Sequence, residues 1–299
     1  MSHGTSRIDA LVAASTVTFV SVALLATGCG ALGRARETAK QVKCGTQVKQ
    51  AHAAFLMAAI DDGGTFPLPG RVNRRAVAGG QQVPGRGEPD ESVNQHGNLW
   101  GVLVGRNYVG AQILVSPAEV NGNVMPCAAY NFNRINPGSD VYWDDSPSGF
   151  KCDLDKACNT SYATMPIDPS MRRTNQWRNT FDARFAILGN RGVKGGATTG
   201  PDFQASRTLA ILGDQKSWDG NVCFNDNHVE FCPDFSPATL APVTGAAPPA
   251  VDNLFRNDSF VMSGAERNAD CWLVIQRAAA GTGGTASDSA DGGAFASWD

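Results

Sequence analysis

An α+β fold is predicted for this chain of 299 residues. It has a long N-terminal helix (a membrane segment continuing into an amphipathic stalk) packed on a small antiparallel β-sheet head with long loops. Three observations lead there. An uncharged run, Ala10–Gly33, passes without proline into an alanine-rich stretch that reaches Ile60. Residues Trp218–Phe231 alternate apolar and polar side chains about Asp226-Asn227. The remainder carries most of the 33 glycines and 16 prolines without a repeat, which favours loops over regular elements. The boundaries follow: a leader at 1–4, a membrane segment at 5–33, an amphipathic helix at 34–62, a head at 63–278 and a disordered tail at 279–299. The tail is read from its Gly, Ala, Ser, Thr and Asp content.

The 24 uncharged residues of Ala10–Gly33 span about 36 Å as a helix at ~1.5 Å per residue, enough for a hydrocarbon core of about 30 Å. Ser15, Thr16, Thr18, Ser21 and Thr27 dilute the run, while Val17, Phe19, Val20, Val22, Leu24 and Leu25 keep it apolar. Three readings are open. Arg7 and the apolar run form a secretory signal, although the run is long and lacks a clean small-x-small site. Leu25-Ala26-Thr27-Gly28-Cys29 resembles a lipobox, which would lipidate Cys29. A retained pilin-type segment would be cleaved after Gly4, making Thr5 the amino terminus and Asp9 the fifth residue. Asp9 favours the last reading. An ionisable group at a membrane edge is costly, and its carboxylate can neutralise the terminal ammonium of a neighbouring subunit.

From Leu32 to Ile60 the helix propensity is high. Cys44, Val48, Ala51, Phe55 and Ala58 or Ala59 recur every three or four residues as one apolar stripe, with Lys43, Gln47, Lys49 and Gln50 opposite. Asp61-Asp62-Gly63-Gly64 ends the helix, and Gly28, Gly30, Gly33 and Gly45 are its soft points. His52 reads as a solvated or core residue. Further on, Asn98–Val104 reads as a short helix, Ala111–Pro117 as a strand or edge, and Phe185–Gly192 as a buried strand ending in a turn.

Asp226-Asn227 tolerates positive φ, so a tight two-residue hairpin is expected there. That turn sets Phe224 opposite Val229 and Val222 opposite Phe231 on one face. Cys223, His228, Glu230 and Cys232 fall on the other, with Cys223 and Cys232 as diagonal neighbours. Cys152 and Cys158 flank a polar loop. These two local spacings suit disulfides and an oxidising compartment; buried free thiols in the cytosol are the alternative. The basic residues Arg34, Arg36, Lys40, Lys43 and Lys49, opposed only by Glu37, argue for a cytoplasmic position of that flank.

Catalytic signatures are lacking: there is no G-x-S-x-G, H-E-x-x-H, P-loop or dinucleotide fingerprint. His228 lies near Asp219, Asp226 and Glu230, a grouping that polar turn residues explain without catalysis. No cofactor is expected; calcium is the ion to consider, with Asp214, Asp219, Asn225 and Asp226 as hard oxygen ligands. A net charge of -3 points to no nucleic-acid partner.

Ala35-Arg36-Glu37-Thr38-Ala39-Lys40-Gln41-Val42-Lys43-Cys44, Val48-Lys49-Gln50 and Gly64-Thr65-Phe66-Pro67 resemble the start of a pilin-like family abundant in planctomycete bacteria. Its members carry a prepilin-type cleavage and methylation segment followed by a DUF1559-type domain. Asn221-Val222 with Asp226-Asn227-His228-Val229 is similar to the family's carboxy-terminal hairpin motif, and Asp252–Asp258 with Cys271–Ile275 to its last strand. Thr5 stands where the family has an aromatic residue and Asp9 where it has Glu. The resemblance implies a structural pilin- or pseudopilin-like subunit of a type II secretion or pilus system, single-pass in the inner membrane, with its head periplasmic or extracellular. It further implies a prepilin peptidase and copies of itself or other pilin-like subunits as partners. It also implies a bond from Cys44. The family's Cys-Pro-Ser turn is Ser116-Pro117-Ala118 here, which leaves Cys127 as one partner to consider.

Overall fold

A computed structural model describes residues 7–74, 86–169, 171–242, 251–258, 270–277 and 295–299, with 7–31 and 295 as backbone only. Helix α1, Arg7–Asp61, has 55 residues. The chain divides into two compact units, Met1–Val42 and Lys43–Asp299. In the first, exposed side chains cover the helix from Leu32 to Ala39, and Lys40 meets Glu37 at 3.1 Å one turn away. A solvated pair of this kind contributes only a few tenths of a kcal/mol.

The second unit is the head. The last part of α1 buries Cys44, Val48, Ala51, Phe55, Ala58 and Ala59, the expected stripe. The helix stops because Gly63 (φ +61°) and Gly64 (φ +87°) turn left-handed, and Gly64 N–H donates back to the Ala59 carbonyl at 2.8 Å. This is the glycine-terminated end that Asp61–Gly64 predicts. Two short helices follow, α2 at Pro69–Val72 and α3 at His96–Gly105. The expected strand at Ala111–Pro117 is instead a 3₁₀ turn over Ala111–Leu114. A short apolar run does not distinguish the two.

Strands β1 (Cys152–Asp153) and β2 (Ala157–Cys158) form a small hairpin. The main sheet is an antiparallel meander of β3 (Tyr162–Thr164), β4 (Ala186–Asn190), β5 (Gly220–Phe224) and β6 (Val229–Cys232). Helix α4, Gly200–Ala205, lies in the β4–β5 connection. All residues of β4 and β5 are buried, Asn190 and Asn221 included, so both faces of the sheet centre are covered. A last pair, β7 (Ile275–Arg277) with β8 (Phe295–Ser297), forms its own two-stranded sheet, tied to β3 by the Thr164–Val274 bridge. The tail read as disordered over 279–299 therefore ends in a paired strand, and Asp299 beyond it docks on the buried Arg191. Composition hides this, because one short strand and one ion pair are enough to dock residues 295–299.

Phe55 is the centre of the core. Its ring stacks on Trp100 with centroids 5.5 Å apart, meets Trp177 edge-on at 5.4 Å and lies 5.9 Å from Phe66. Phe55→Ala removes the shared partner of three buried rings, and the expected destabilisation is about 3–5 kcal/mol. Urea unfolding followed by circular dichroism checks this; a loss below about 1 kcal/mol would contradict the packing.

Candidate functional site

Two faces of the head's helical part have different fates. The inward face makes specific polar contacts as well as apolar ones. Gly45 lets the helix approach β5 so closely that a Cβ there would sit 3.0 Å from Asn221 Oδ1. Gln47, expected on the solvated face, is buried and accepts from the Tyr162 hydroxyl at 3.0 Å. The Cys44 thiol lies 3.4 Å from the Asn190 carboxamide. His52 is fully buried, with Nδ1 3.0 Å from Asn227 Oδ1.

The outward face is uncharged. Thr46, Gln50, Met57 and Ile60 are exposed there, with Ala53 half-buried among them; Met57 is 49% and Ile60 82% exposed. At about 100° per residue they occupy an arc of about 80° opposite the buried stripe. The same spacing runs back through Val42, Ala39, Ala35 and Leu32, each exposed, with Val42 at 63% and Leu32 at 72%. Uncharged positions at intervals of three and four over some eight turns are what a helix needs to pack against another helix. Sequence reading found the inward stripe and missed this one, because alanines and Thr46 dilute its hydrophobicity; the lack of any charge in that phase is the signal that could have found it.

The hairpin that carries the strongest sequence motif exists, with its register one residue from expectation. Cys223 faces Val229, Val222 faces Glu230 and Gly220 faces Cys232. Asn225-Asp226-Asn227 is a three-residue loop, closed by Asn227 N–H to the Phe224 carbonyl at 2.9 Å and by Asn227 in the left-handed region at φ +67°. The extra loop residue slips the ladder and brings Phe231 to the surface. It also sets Cys223 and Cys232 three residues apart along the ladder, about 10 Å at ~3.4 Å per residue, beyond disulfide reach.

No disulfide forms among the described residues; Cys44, Cys127, Cys152, Cys158, Cys223, Cys232 and Cys271 are free and buried. Cys127 contacts the Ser148 carbonyl rather than Cys44. Burial pushes the Cys232 thiol up to about 12 and raises Cys223 and Cys271 as well, so these thiols are poor nucleophiles. Cys152 and Cys158 are the exception in geometry: they are direct cross-strand partners. Burial first, then the adjoining Cys158 thiol, raise Cys152 well above its ordinary range. Of the two spacings read as disulfides, the Cys152–Cys158 one keeps its geometry and the Cys223–Cys232 one does not.

The residues considered for calcium do not converge. Asp214 Oδ1 is occupied by Lys216 N–H, Ser217 N–H and the Ser217 hydroxyl. The Asn225 carboxamide is spent on four backbone groups: it accepts from Thr180 and Phe181 N–H and donates to the Gln176 and Arg178 carbonyls. Asp226 caps the His228 N–H and meets its ring, which stacks on Phe224 at 4.5 Å. Burial raises Asp219 above the usual carboxylate range. Glu230 accepts from the Thr239 hydroxyl at 2.6 Å. These contacts give each polar residue of the hairpin a structural duty.

Gly4 and Thr5 lie outside the described residues, as do the side chains of Asp9 and Cys29. Among the described residues no helix is long and apolar enough to cross a membrane; most of Ala10–Gly33 falls where the backbone alone is described. No family model matches the chain, and neither does any curated protein or solved structure.

Two predictions follow from this geometry. Burial lowers His52 to about 4 and His96 to about 3 from an ordinary 6.5, so both are neutral in the folded chain. Below pH ~6.5 the unfolded chain binds protons the folded chain refuses, and stability falls by up to about 1.4 kcal/mol per pH unit for each histidine until its folded pKa is reached. In urea melts from about pH 5 to 6.5, His52→Gln should lower the proton uptake on unfolding by about one near pH 5 and about half near pH 6.5; an unchanged slope would contradict a neutral buried His52. Mild diamide oxidation, which takes two electrons and two protons from a thiol pair, should link Cys152 to Cys158 and leave Cys223 and Cys232 unlinked. Peptide mapping under non-reducing conditions reads both.

Proposed function

We propose that this chain is a structural subunit of the pilin or pseudopilin type, held in the bacterial inner membrane by its N-terminal segment and assembling through α1. The observation that carries the reading is the exposed uncharged stripe from Leu32 to Ile60. From Cys44 to Ala59 the helix's other face is already committed to the core, while residues 32–39 are exposed on every face. An uncharged, mostly apolar face on a surface helix costs solubility in a monomer, and burying it against the same stripe of a second subunit removes that cost. The partners are copies of this chain or other pilin-like subunits. Asp9 guides insertion by pairing with the amino terminus that a prepilin peptidase would expose at Thr5. The placement of the head outside the cytoplasm rests on the motif resemblance alone, since the basic flank favours the opposite side.

The other reading is an extracytoplasmic binding protein anchored in the membrane, through a lipid on Cys29 or the helix itself. A cleft of about 580 Å³ in the head favours it, with Trp143, Asp144, Asp145 and Lys151 among its walls. Its charges are largely engaged within the protein, Arg277 with Asp153 at 3.2 Å and Asp144 with Ser146 and Ser148, so the cleft offers little free charge for a ligand.

Mass spectrometry of the native amino terminus separates the two: a start at Thr5, N-methylated, supports the subunit reading, and a lipidated Cys29 replaces it. Val42→Lys and Ile60→Lys should leave the melting temperature unchanged, as surface substitutions do to within about 0.5 kcal/mol, yet abolish crosslinking between copies in membranes. Asp9→Ala should leave the chain in the membrane and block assembly. Assembly at the wild-type level in all three variants would overturn the proposal.

A further inference from the structure

Four arginines of the head, Arg71, Arg74, Arg172 and Arg178, line one hollow of about 360 Å³. They come from separate segments that the backbone holds together. Thr65 bridges to Arg178, and Arg74 bridges to Pro89. Glu91, just beyond Pro89, pairs with Arg172 at 2.9 Å. Trp177 also lines the hollow and is 1% exposed. Its indole N–H donates to the Pro67 carbonyl at 3.3 Å, and its ring packs on Phe55 and Phe66. The walls are therefore anchored in the aromatic core, and the hollow is formed before anything enters it.

The charges around it do not balance. Glu91 is the one carboxylate among the lining residues, and it is spent on Arg172 and on the Asn94 carboxamide. Arg71 is met at 3.1 Å by Asp62, which is not part of the wall, and donates to the Thr65 hydroxyl at 3.0 Å. Burial holds Asp62 above the ordinary carboxylate range although Arg71, Arg74 and Arg106 all act against it. Arg74 donates to the Gly87 carbonyl at 3.1 Å and has no carboxylate partner among the described residues. Arg178 makes no ion pair and no side-chain hydrogen bond among them. Four guanidiniums against two carboxylates leave two positive charges unmatched. A concave site lined by one sign of charge focuses its field and concentrates the opposite ion. Guanidinium forks also present paired N–H groups that fit an oxyanion at two points.

We infer that this hollow binds a phosphoryl group as its dianion, carried by a small phosphate monoester or free as phosphate. Charge selects the class. A phosphoryl group with nearly two negative charges and three acceptor oxygens cancels the surplus, whereas a carboxylate or a phosphodiester supplies one charge. Size agrees, since about 360 Å³ falls at the small end of ligand pockets, roughly 300–1,000 Å³. Room remains beside the phosphoryl group for a short organic moiety, with Leu68 and Pro89 as its apolar walls. The site lies wholly within the head and does not depend on how α1 assembles.

The test titrates the full-length chain in detergent with sodium phosphate, glycerol 3-phosphate, dimethyl phosphate and acetate at constant ionic strength, read by calorimetry. The expected result is one phosphate or glycerol 3-phosphate per chain and a melting temperature raised by several degrees at millimolar ligand. The two monoanions should bind at least tenfold more weakly. Arg74→Gln and Arg178→Gln break no ion pair, so each should keep the circular dichroism spectrum and lose at least fivefold in phosphate affinity. Phosphatidic acid doped into the micelles separates the sources: competition with phosphate assigns the ester to a lipid headgroup, and unchanged heat assigns it to a soluble ester. Absence of both heat and melting shift with phosphate and glycerol 3-phosphate would overturn the inference. So would acetate binding as tightly as phosphate, or phosphate affinity undiminished in both variants.

Discussion

The main sheet and α3 depend on the burial of one helical stretch, Cys44–Ala59. Phe55 holds α3 through Trp100 and the loop before β4 through Trp177, while Cys44 and Gln47 reach Asn190 on β4 and Tyr162 on β3. Gly45 admits Asn221 of β5, and His52 fixes Asn227 at the tip of the β5–β6 hairpin. Strands this short, three to five residues in the main sheet, form no stable sheet by themselves. The helix supplies the missing surface. Its small residues, Gly45, Ala51, Ala54, Ala58 and Ala59, permit close approach, and its single large ring fills the space that remains.

That dependence explains what could be read from the sequence. The inward stripe, the Gly63-Gly64 stop, the helix near Asn98 and the strand near Ile187 are local patterns, and each appears where the pattern places it. The hairpin at Asp226 was legible as a hairpin, but its register was not. Asn227 accepts a left-handed φ in a two-residue or a three-residue loop alike, and the choice is made by the His52 contact and by the four backbone groups that hold Asn225, all remote in sequence. The disulfide expectations inherited this error. Both turns have three loop residues; Cys152 and Cys158 meet because each stands two residues from its turn, whereas Cys223 stands two residues and Cys232 five residues from theirs.

Loops need another source of order, and in this head buried polar groups provide it. Arg191, 2% exposed, binds Glu119 and Asp299 at once, joining the end of β4 to the loop before β1 and to the residues after β8. Desolvation would raise Glu119, but the Arg191 guanidinium outweighs it and holds the carboxyl below its usual range. Breaking such a pair costs far more than its net contribution, because the abandoned charge stays buried. The ion pair therefore acts less as a source of stability than as a selector: alternative arrangements of these loops would strand a guanidinium in the core.

The two faces of α1 fit one scheme on this basis. A helix that must be the core of its own head can donate only its opposite side to anything else, so that side's composition records whether there is anything else. If solvent were its only neighbour, lysine and glutamate would be neutral or favourable at Ala35, Ala39, Val42, Ala53, Met57 and Ile60, since charged residues have good helix propensity and improve solubility. Charge is instead kept out of that stripe: Arg36, Lys43, Lys49 and Asp61 flank it, and Arg34, Glu37 and Lys40 lie further round the helix. Where the inward stripe has one large ring and several alanines, the outward stripe has the same mixture of small and large side chains. That composition lets a second helix approach as closely as the sheet does on the other side.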